Sequence, residues 1–534
     1  MPGCADANGR APTSLLSRPR RRDYTVHVMD VPPLISVTRP PRWPTPDAPP
    51  WRTALFERLR GQPLSFVRTG DDCVSAASLW AGARRWTSWL RARGVASGDR
   101  VVCALPPGPG FVMLLVAALW DELTFVPAPA SANVDALLDA VDARVAVVEH
   151  GGRTRSGVVA AERAGTPPDA MGTLRTARSA PTPRARFLLQ TSGTTGGPRR
   201  LALSDANVQA VLASHAAALA LEGAVVLSVL PWHHAFGLVL ELMPALLGGA
   251  ELVRDPSGGR DAGAMVAVAA AHPVTHLHAV PHTVRLLAEH GEGRALLRAL
   301  RGGLVGGAAV DGALAALLAT TRLRVGYGQT EASPGIALGE PGAWRAGTLG
   351  RPVGCEVRLD DDGVLAFRGP NAYLGAWRDH THGGELDVLS PDRWVRTGDL
   401  ARLEVDGTYT FEGRLADSFK LANGRFVAAL DVERRVCARW PQLAEAMLSS
   451  PDGHGLVLAA STARDSDPLP EAATVAAMLG PLGTRPLDVM RVAPDAWVRT
   501  PKGDLDRRFP TGRVPQGSTP VAPTSANRAA HASG

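Results

Sequence analysis

Apolar and polar positions change rhythm several times along this chain, and each change predicts an element. Leu79, Ala83, Trp86 and Leu90 recur at helical spacing, and Gly94 stands where a C-cap would. Val101 to Leu105 reads as a strand, and the apolar run Phe111 to Trp120 as a buried helix. Phe125-Val126 reads as a short strand, Val134 to Val141 as a helix, and Val145 to Val148 as a strand. Strand and helix alternate, which predicts an α/β fold with a largely parallel sheet. In such sheets a ligand lies at the carboxyl ends of the strands.

Residues 151–183 are polar and pattern-poor, like a surface connection. Phe187-Leu188-Leu189 then reads as a buried strand, and a helical pattern starts at Asn207. Further alternation covers Val225 to Leu230, Leu238 to Leu247, Leu252-Val253, Met265 to Ala271 and Thr275 to Val280. From Gly354 to Gly413 the texture changes. Short strands (Glu356 to Leu359, Val364 to Phe367, Thr408 to Phe411) are separated by Asp362-Gly363 and Asp406-Gly407, which are hairpin signals. The chain from Leu415 reads as a small α+β unit. Residues 1–50, rich in Arg and Pro, and the tail 513–534 cannot build a core and are expected to be disordered.

Composition narrows the class. The chain has 534 residues, enough for several domains, with 45% hydrophobic and 20% charged residues, as in globular proteins. The net charge of +6 is small, and much of the arginine excess lies in the first 22 residues, so no nucleic-acid partner is expected. Cys4, Cys73, Cys103, Cys355 and Cys437 are scattered without a C-x-x-C pair, so neither a disulfide framework nor a zinc site is expected. The longest apolar run is too short to span a bilayer, and the basic N-terminus is not followed directly by an apolar segment. These features predict a cytoplasmic protein without a membrane span.

The candidate chemistry begins at Thr191-Ser192-Gly193-Thr194-Thr195-Gly196-Gly197-Pro198-Arg199. Four hydroxyl residues and three glycines between two core elements suit a loop that wraps a polyphosphate. Glycine lets backbone N–H groups point inward, hydroxyls add donors, and Arg199 adds charge. A Gly/Ser/Thr-rich surface linker is the plain alternative, and a Walker-type loop fits less well because no G-K-[ST] occurs here.

Three later stretches narrow the reaction: Tyr327-Gly328-Gln329-Thr330-Glu331 after a strand-like Leu323 to Val325, Arg396-Thr397-Gly398-Asp399-Leu400, and Gly413-Arg414-Leu415-Ala416-Asp417-Ser418-Phe419-Lys420. With the loop, this order and spacing resemble the superfamily of acyl-adenylate-forming (AMP-binding) enzymes. That superfamily holds acyl- and aryl-CoA ligases, adenylation domains of non-ribosomal peptide synthetases, and luciferases. The resemblance runs from about Trp51 to Phe509.

It implies a large N-terminal domain, residues 51–414, of stacked mixed α/β sheets with a β-rich subdomain. A small mobile α+β domain, residues 415–512, would follow. It also implies ATP, Mg²⁺ and a thiol acceptor, CoA or the phosphopantetheine arm of a carrier protein. Thr191, Ser192, Gly193, Thr194, Thr195, Gly196 and Arg199 would hold the β- and γ-phosphates, with Arg199 where the family usually has lysine. Thr330 would donate to the α-phosphate and Glu331 would ligate Mg²⁺. Tyr327 would stack on adenine, Asp399 would accept the ribose hydroxyls, and Arg414 would contact ribose and phosphate. Gly307, Gly328 and Lys420 join this nucleotide-binding set by the same resemblance.

The chain departs from the family pattern twice. The terminal motif commonly reads Gly-Lys, whereas here Pro501-Lys502-Gly503-Asp504 puts Asp504 at the lysine position. Feruloyl-CoA-synthetase-like members have the order Lys-Gly there, with an Ala and a Phe-Lys-Leu earlier; this chain has Ala416 and Phe419-Lys420-Leu421. Lys502 is therefore taken as the catalytic lysine. Ala416 replaces the usual hinge Asp or Lys. These departures also leave open a nucleotide-binding homologue without catalysis.

Pro231-Trp232-His233-His234-Ala235-Phe236-Gly237 matches the stretch that lines the family's acid pocket. His234 stands where amino-acid-activating members carry an aspartate, so an amino-acid substrate is disfavoured and His234 is expected to gate the pocket. Gly302-Gly303 and Gly306-Gly307-Ala308 would leave room for an aryl or a medium acyl chain, and both stay open. The partner is a small carboxylic acid.

Overall fold

The computed structural model describes residues 51–61, 66–69, 72–149, 158–161, 167, 185–191, 199–378, 385–415, 418–422, 426–464, 466–497 and 519–520. The extension 1–50, the tail from 521, and the stretch holding Lys502 and Asp504 lie outside the described residues.

An eight-stranded sheet carries the phosphate-loop candidate. In space its strands run Val158–Ala161, Val145–Glu149, Arg100–Ala104, Thr124–Pro127, Phe187–Thr191, Arg199–Leu203, Gly375–Arg378 and Glu385–Val388. The first five are parallel and the rest antiparallel. Helices cover it as the alternation predicts. Helix Ala76–Arg91 starts where the Ser75 hydroxyl accepts the Ser78 N–H, and it buries Leu79, Ala83, Trp86 and Leu90 on one face. Its cap residue is Ala92, two positions before the expected Gly94, which has φ +72°. Helix Pro109–Trp120 is buried from Phe111 to Leu119. Gly82 lets the two helices touch, since a Cβ there would stand 2.3 Å from Met113 Sδ.

Several strands escape the sequence reading, two of them beside stretches that it singled out. Arg199–Leu203 lies between the loop and the helix, where the pattern places only the helix, now Asp205–Leu219. It is buried from Arg200 to Leu203, so it shows no alternation. Val158–Ala161, inside the supposed surface connection, pairs with Val145–Glu149 as an edge strand.

A second sheet of five strands orders His276–His278, Val225–Ser228, Glu251–Arg254, Phe66–Thr69 and Asp72–Ser75. The third, of eight, runs from Leu304–Gly306 and Arg324–Tyr327 through Ala337–Leu338, Thr348–Pro352 and Tyr409–Arg414 to Val395–Leu403, Val364–Arg368 and Glu356–Leu359. Both Asp-Gly signals close hairpins here. Gly363 and Gly407 each have φ +78°, and each N–H donates to the carbonyl three residues back, at 2.8 and 3.0 Å. The chain after Leu415 forms a four-stranded sheet and a two-stranded ribbon, with helices Ala429–Arg439 and Ala472–Leu479 over a core of its own.

The second sheet buries a polar layer. Ser228 pairs with Arg254 on one side and His278 on the other. Glu241 Oε1 accepts the Ser228 hydroxyl at 2.6 Å and the Trp232 indole N–H at 2.9 Å. Arg254 donates to Ser228 Oγ and Leu230 O at 3.2 and 2.7 Å. Glu241 sits in a π-helical turn, Phe236–Leu242, which overlaps the apolar element Leu238 to Leu247 of the sequence pattern. Burial pushes its carboxyl up to about 7, against the pull of these donors and Arg254.

An unfolded glutamate releases its proton near 4.5, so from there to pH 7 the folded chain retains a proton the unfolded chain has lost. Stability from this group therefore falls as pH rises through that window. Glu241→Gln should gain stability over the wild type at pH 8 relative to pH 4.5, read from urea-unfolding midpoints. An equal difference at both pH values contradicts this.

Candidate active site

Strands Phe187–Thr191 and Arg199–Leu203 end as cross-strand partners, Thr191 opposite Arg199. The intervening loop is thereby held at both ends by a ladder. Ser192, Gly193, Thr194, Thr195 and Gly196 lie in that loop, outside the described residues. Arg199 is exposed at the strand start, and its guanidinium acts electrostatically on the Tyr373 phenol. The Tyr373 N–H donates to the Glu331 carbonyl at 2.9 Å. Burial raises the Tyr373 phenol above its usual value, with Arg199 opposing and Glu331 reinforcing the shift. Arg199, Tyr373 and Glu331 thus form one group. The sequence reading missed Tyr373; its signal is an aromatic two residues after the turn residues Gly369-Pro370-Asn371.

Strand Arg324–Tyr327 leads through Gly328 into the short helical turn Thr330–Ala332. Gly328 is required here, since a Cβ would stand 1.5 Å from Pro334 O. The Tyr327 hydroxyl donates to Asp399 Oδ2 at 2.8 Å. Asp399 is 4% exposed on strand Val395–Leu403, and its own N–H donates to Thr397 Oγ1 at 3.0 Å. Opposite it, Arg414 places Nε 3.0 Å from Asp399 Oδ1. Burial, then the Asp399 carboxylate, holds the Tyr327 phenol well above its usual range, so it stays a neutral donor. Three residues singled out from separate motifs are therefore bonded to one another.

Tyr327 also lines a recess of about 50 Å³. His215, Phe236 and Leu240 contribute to its lining, together with Gly306, Gly307, Gly326 and Gly328. Gly306 pairs with Gly326 across parallel strands, and a Cβ on Gly306 would stand 2.3 Å from Gly326 O. A recess of this size holds a few waters; a cavity of about 150 Å³ accepts benzene, so a ring requires Phe236 or Leu240 to shift.

Other expected residues lie elsewhere. Gly302 and Gly303 face His276 and the Leu277 carbonyl at the sheet junction. His234, expected to gate the acid pocket, is exposed and is not part of the recess lining; its ring lies 4.4 Å from that of His233. Burial pushes His233 down to about 4 and also lowers His234. Lys420 lies on strand Ser418–Lys420, opposite Phe426. Ala416 and Lys502 are outside the described residues.

Among the described residues, no three His, Cys, Asp or Glu gather into a metal cluster. A Mg²⁺ ion held by one carboxylate and phosphate oxygens needs no such cluster, and Glu331 beside Arg199 and Tyr373 suits that role.

The model of the family described as "AMP-binding enzyme" matches residues 55–377. A feruloyl-CoA synthase from an Amycolatopsis species is 28% identical over 434 residues, covering 72% of this chain and 86% of that protein. A long-chain-fatty-acid–CoA ligase from Yersinia pestis is 32% identical over 289 residues, half of each chain (50%). Among solved structures, ATP-bound MatB from Rhodopseudomonas palustris is 21% identical with a TM-score of 0.68, over 85% of this chain and 97% of that one. o-Succinylbenzoate CoA synthetase (MenE) from Bacillus subtilis, in complex with its acyl-adenylate intermediate, is 19% identical with a TM-score of 0.67, over 88% and 99%. These structures share the fold.

The Tyr327–Asp399 bond predicts energetic coupling. A double-mutant cycle with Tyr327→Phe and Asp399→Asn, read by urea unfolding, should give a coupling of about 0.5 kcal/mol or more. Additive effects would mean that the bond contributes nothing.

Proposed function

The chain belongs to the family of AMP-binding enzymes, and from that membership we propose that it is an acid–thiol ligase. It activates a carboxylic acid with ATP and passes the acyl group to CoA. The observation that carries this reading is Tyr327, whose side chain bonds Asp399 on one side and lines the glycine-walled recess on the other. One residue thereby joins the carboxylate assigned to the ribose to a recess that opens to an acid once Phe236 or Leu240 shifts. The curated relatives, named for CoA thioesters of an aryl acid and of fatty acids, support the same reading.

In this reaction a carboxylate oxygen attacks the α-phosphorus of ATP, the bond to the β-phosphate oxygen breaks, and pyrophosphate leaves. A thiolate then attacks the acyl carbon and AMP leaves. Charge gathers on phosphate oxygens, so the protein's work is positioning and electrostatic stabilisation. The loop Thr191 to Arg199 binds the β- and γ-phosphates. Thr330 donates to the α-phosphate, and Asp399, buried and oriented by Tyr327 and Arg414, accepts the ribose hydroxyls. Glu331 would hold Mg²⁺, which would supply neutralising charge to the phosphates. Residues 415–512, which include a core of their own, act as the mobile half that brings Lys502 to the first step. No helix among the described residues is long and apolar enough to cross a membrane. The reading puts the enzyme in the cytoplasm, where ATP and CoA meet.

Carboxylate-dependent ATP–pyrophosphate exchange, with benzoates, cinnamates, fatty acids and amino acids as substrates, tests the first step. Exchange with one acid class is expected, followed by thioester formation when CoA is added. No exchange in folded, ATP-binding protein would reject the reading, and transfer only to a carrier-protein thiol would move the acceptor. Lys502→Ala should lower exchange by about 100-fold or more while ATP still binds. Unchanged exchange would show that another residue does this work. Asp399→Asn should raise the KM for ATP about tenfold or more.

A further inference from the structure

His215 lies in the helix Asp205–Leu219, beside the recess and outside every motif the ligase reading uses. The helix is well anchored. Ser204 and Asn207 cap it reciprocally, and the Asn207 amide donates to Pro370 O at 2.9 Å and Ala372 O at 2.7 Å. The ring is therefore held from a fixed backbone.

Its tautomer follows from its neighbours. His215 Nδ1 lies 3.1 Å from Val211 O and 2.9 Å from Ser214 Oγ, and Ser214 Oγ lies 3.2 Å from the same carbonyl. A carbonyl oxygen only accepts, so Nδ1 carries the proton and Nε2 presents a lone pair. Burial pushes His215 down to about 4, so the ring is neutral at ordinary pH and Nε2 is an acceptor. Gly335 lies against this edge of the ring: a Cβ there would stand 2.3 Å from Cε1 and 2.5 Å from Nε2. Among the described residues, no hydrogen bond reaches Nε2.

The rest of the lining sharpens the point. Phe236, Leu240 and Leu338 are apolar, glycines supply much of the opposite wall, and the Tyr327 hydroxyl is committed to Asp399. A hydrocarbon acid filling this space would cover the Nε2 lone pair and leave it unpaired. An acid with a second carboxylate would meet an uncharged acceptor. A hydroxyl supplies the missing donor. The wall at Gly306 and Gly326 carries no side chain, and a Cβ on Gly306 would strike Gly326 O; a surface without side chains suits a planar ring over a bent chain.

We propose that His215 is the residue that selects the acid, and that the acid is a hydroxyaryl acid whose ring hydroxyl donates to His215 Nε2. This rests on the acid–thiol ligase reading and adds the substrate class to it. A pocket built to accept a substrate hydroxyl rejects the analogue that lacks it, because the buried acceptor is then left unpaired.

The test compares matched acids in ATP–pyrophosphate exchange: 4-hydroxy and 4-methyl forms of benzoate, phenylacetate and cinnamate, with a fatty acid and its ω-hydroxy form. In wild type, kcat/KM for the hydroxy form of the best ring should exceed that of its methyl twin by about tenfold or more. His215→Leu should bring the ratio to about threefold or less by lowering activity on the hydroxy acid, and His215→Gln, which keeps an acceptor, should restore part of it. Gly335→Ala, which displaces the ring without removing it, should shift the ratio in the same direction as His215→Leu. A merely structural role for His215 would lower both acids together and leave the ratio in place, which overturns the proposal. Equal use of hydroxy and methyl acids by the wild type, or exchange with fatty acids alone, overturns it while the ligase reading stands. Exchange with no acid at all, in folded protein that binds ATP, removes the ligase reading and this proposal with it.

Discussion

The bond from the Tyr327 hydroxyl to Asp399 ties the candidate site together, and much of the surrounding architecture serves to permit it. Its two ends are 72 residues apart in the chain. They meet because the third sheet accommodates both the strand ending at Tyr327 and the strand holding Asp399. Asp399 is nearly fully buried, so its charge needs partners, and this sheet provides Tyr327 and Arg414 among them. A buried carboxylate with directed donors is stiff, and stiffness suits the proposed contact with two ribose hydroxyls.

Close backbone approach is the second constraint. Gly306 against Gly326, Gly328 against Pro334 and Gly335 against His215 each leave no room for a methyl group. These contacts bring backbone atoms to the wall of the recess and decide its width. Phe236 and Leu240 enter from the π-helical turn on the other side. The recess is narrow as a result, and the polarity of its few exposed atoms counts for more than it would in an open cleft.

Several titratable groups are buried in their neutral forms around this region. His215, His276 and His278 are held down by burial to about 4, 4 and 3, and Glu241 is held up to about 7. A neutral imidazole offers one donor and one acceptor with fixed direction, whereas an imidazolium offers only donors. The polar layer of the second sheet uses Glu241 as an acceptor for two donors, whereas His215 Nε2 has no donor among the described residues.

The alternation of short strands with amphipathic or wholly apolar helices, the two Asp-Gly hairpins and the separate C-terminal core were legible from residue spacing, because each depends on neighbours within a few positions. Thr191, Arg199, Tyr327, Asp399 and Arg414 were legible as residues of interest because they sit in turns and strand ends with unusual hydroxyl, glycine or charge content. Strand Arg199–Leu203 was not, since a strand buried on both faces shows no period. Tyr373 and His215 were not, and His234 lies outside the recess lining, because nothing local distinguishes an aromatic or a histidine that faces a site from one that faces core or solvent. That distinction is made by the register of strands far apart in the chain and by glycines that let one backbone pass against another. Local spacing determined which segments fold and which residues are candidates for chemistry; only the packed sheets decided which side chains share the recess.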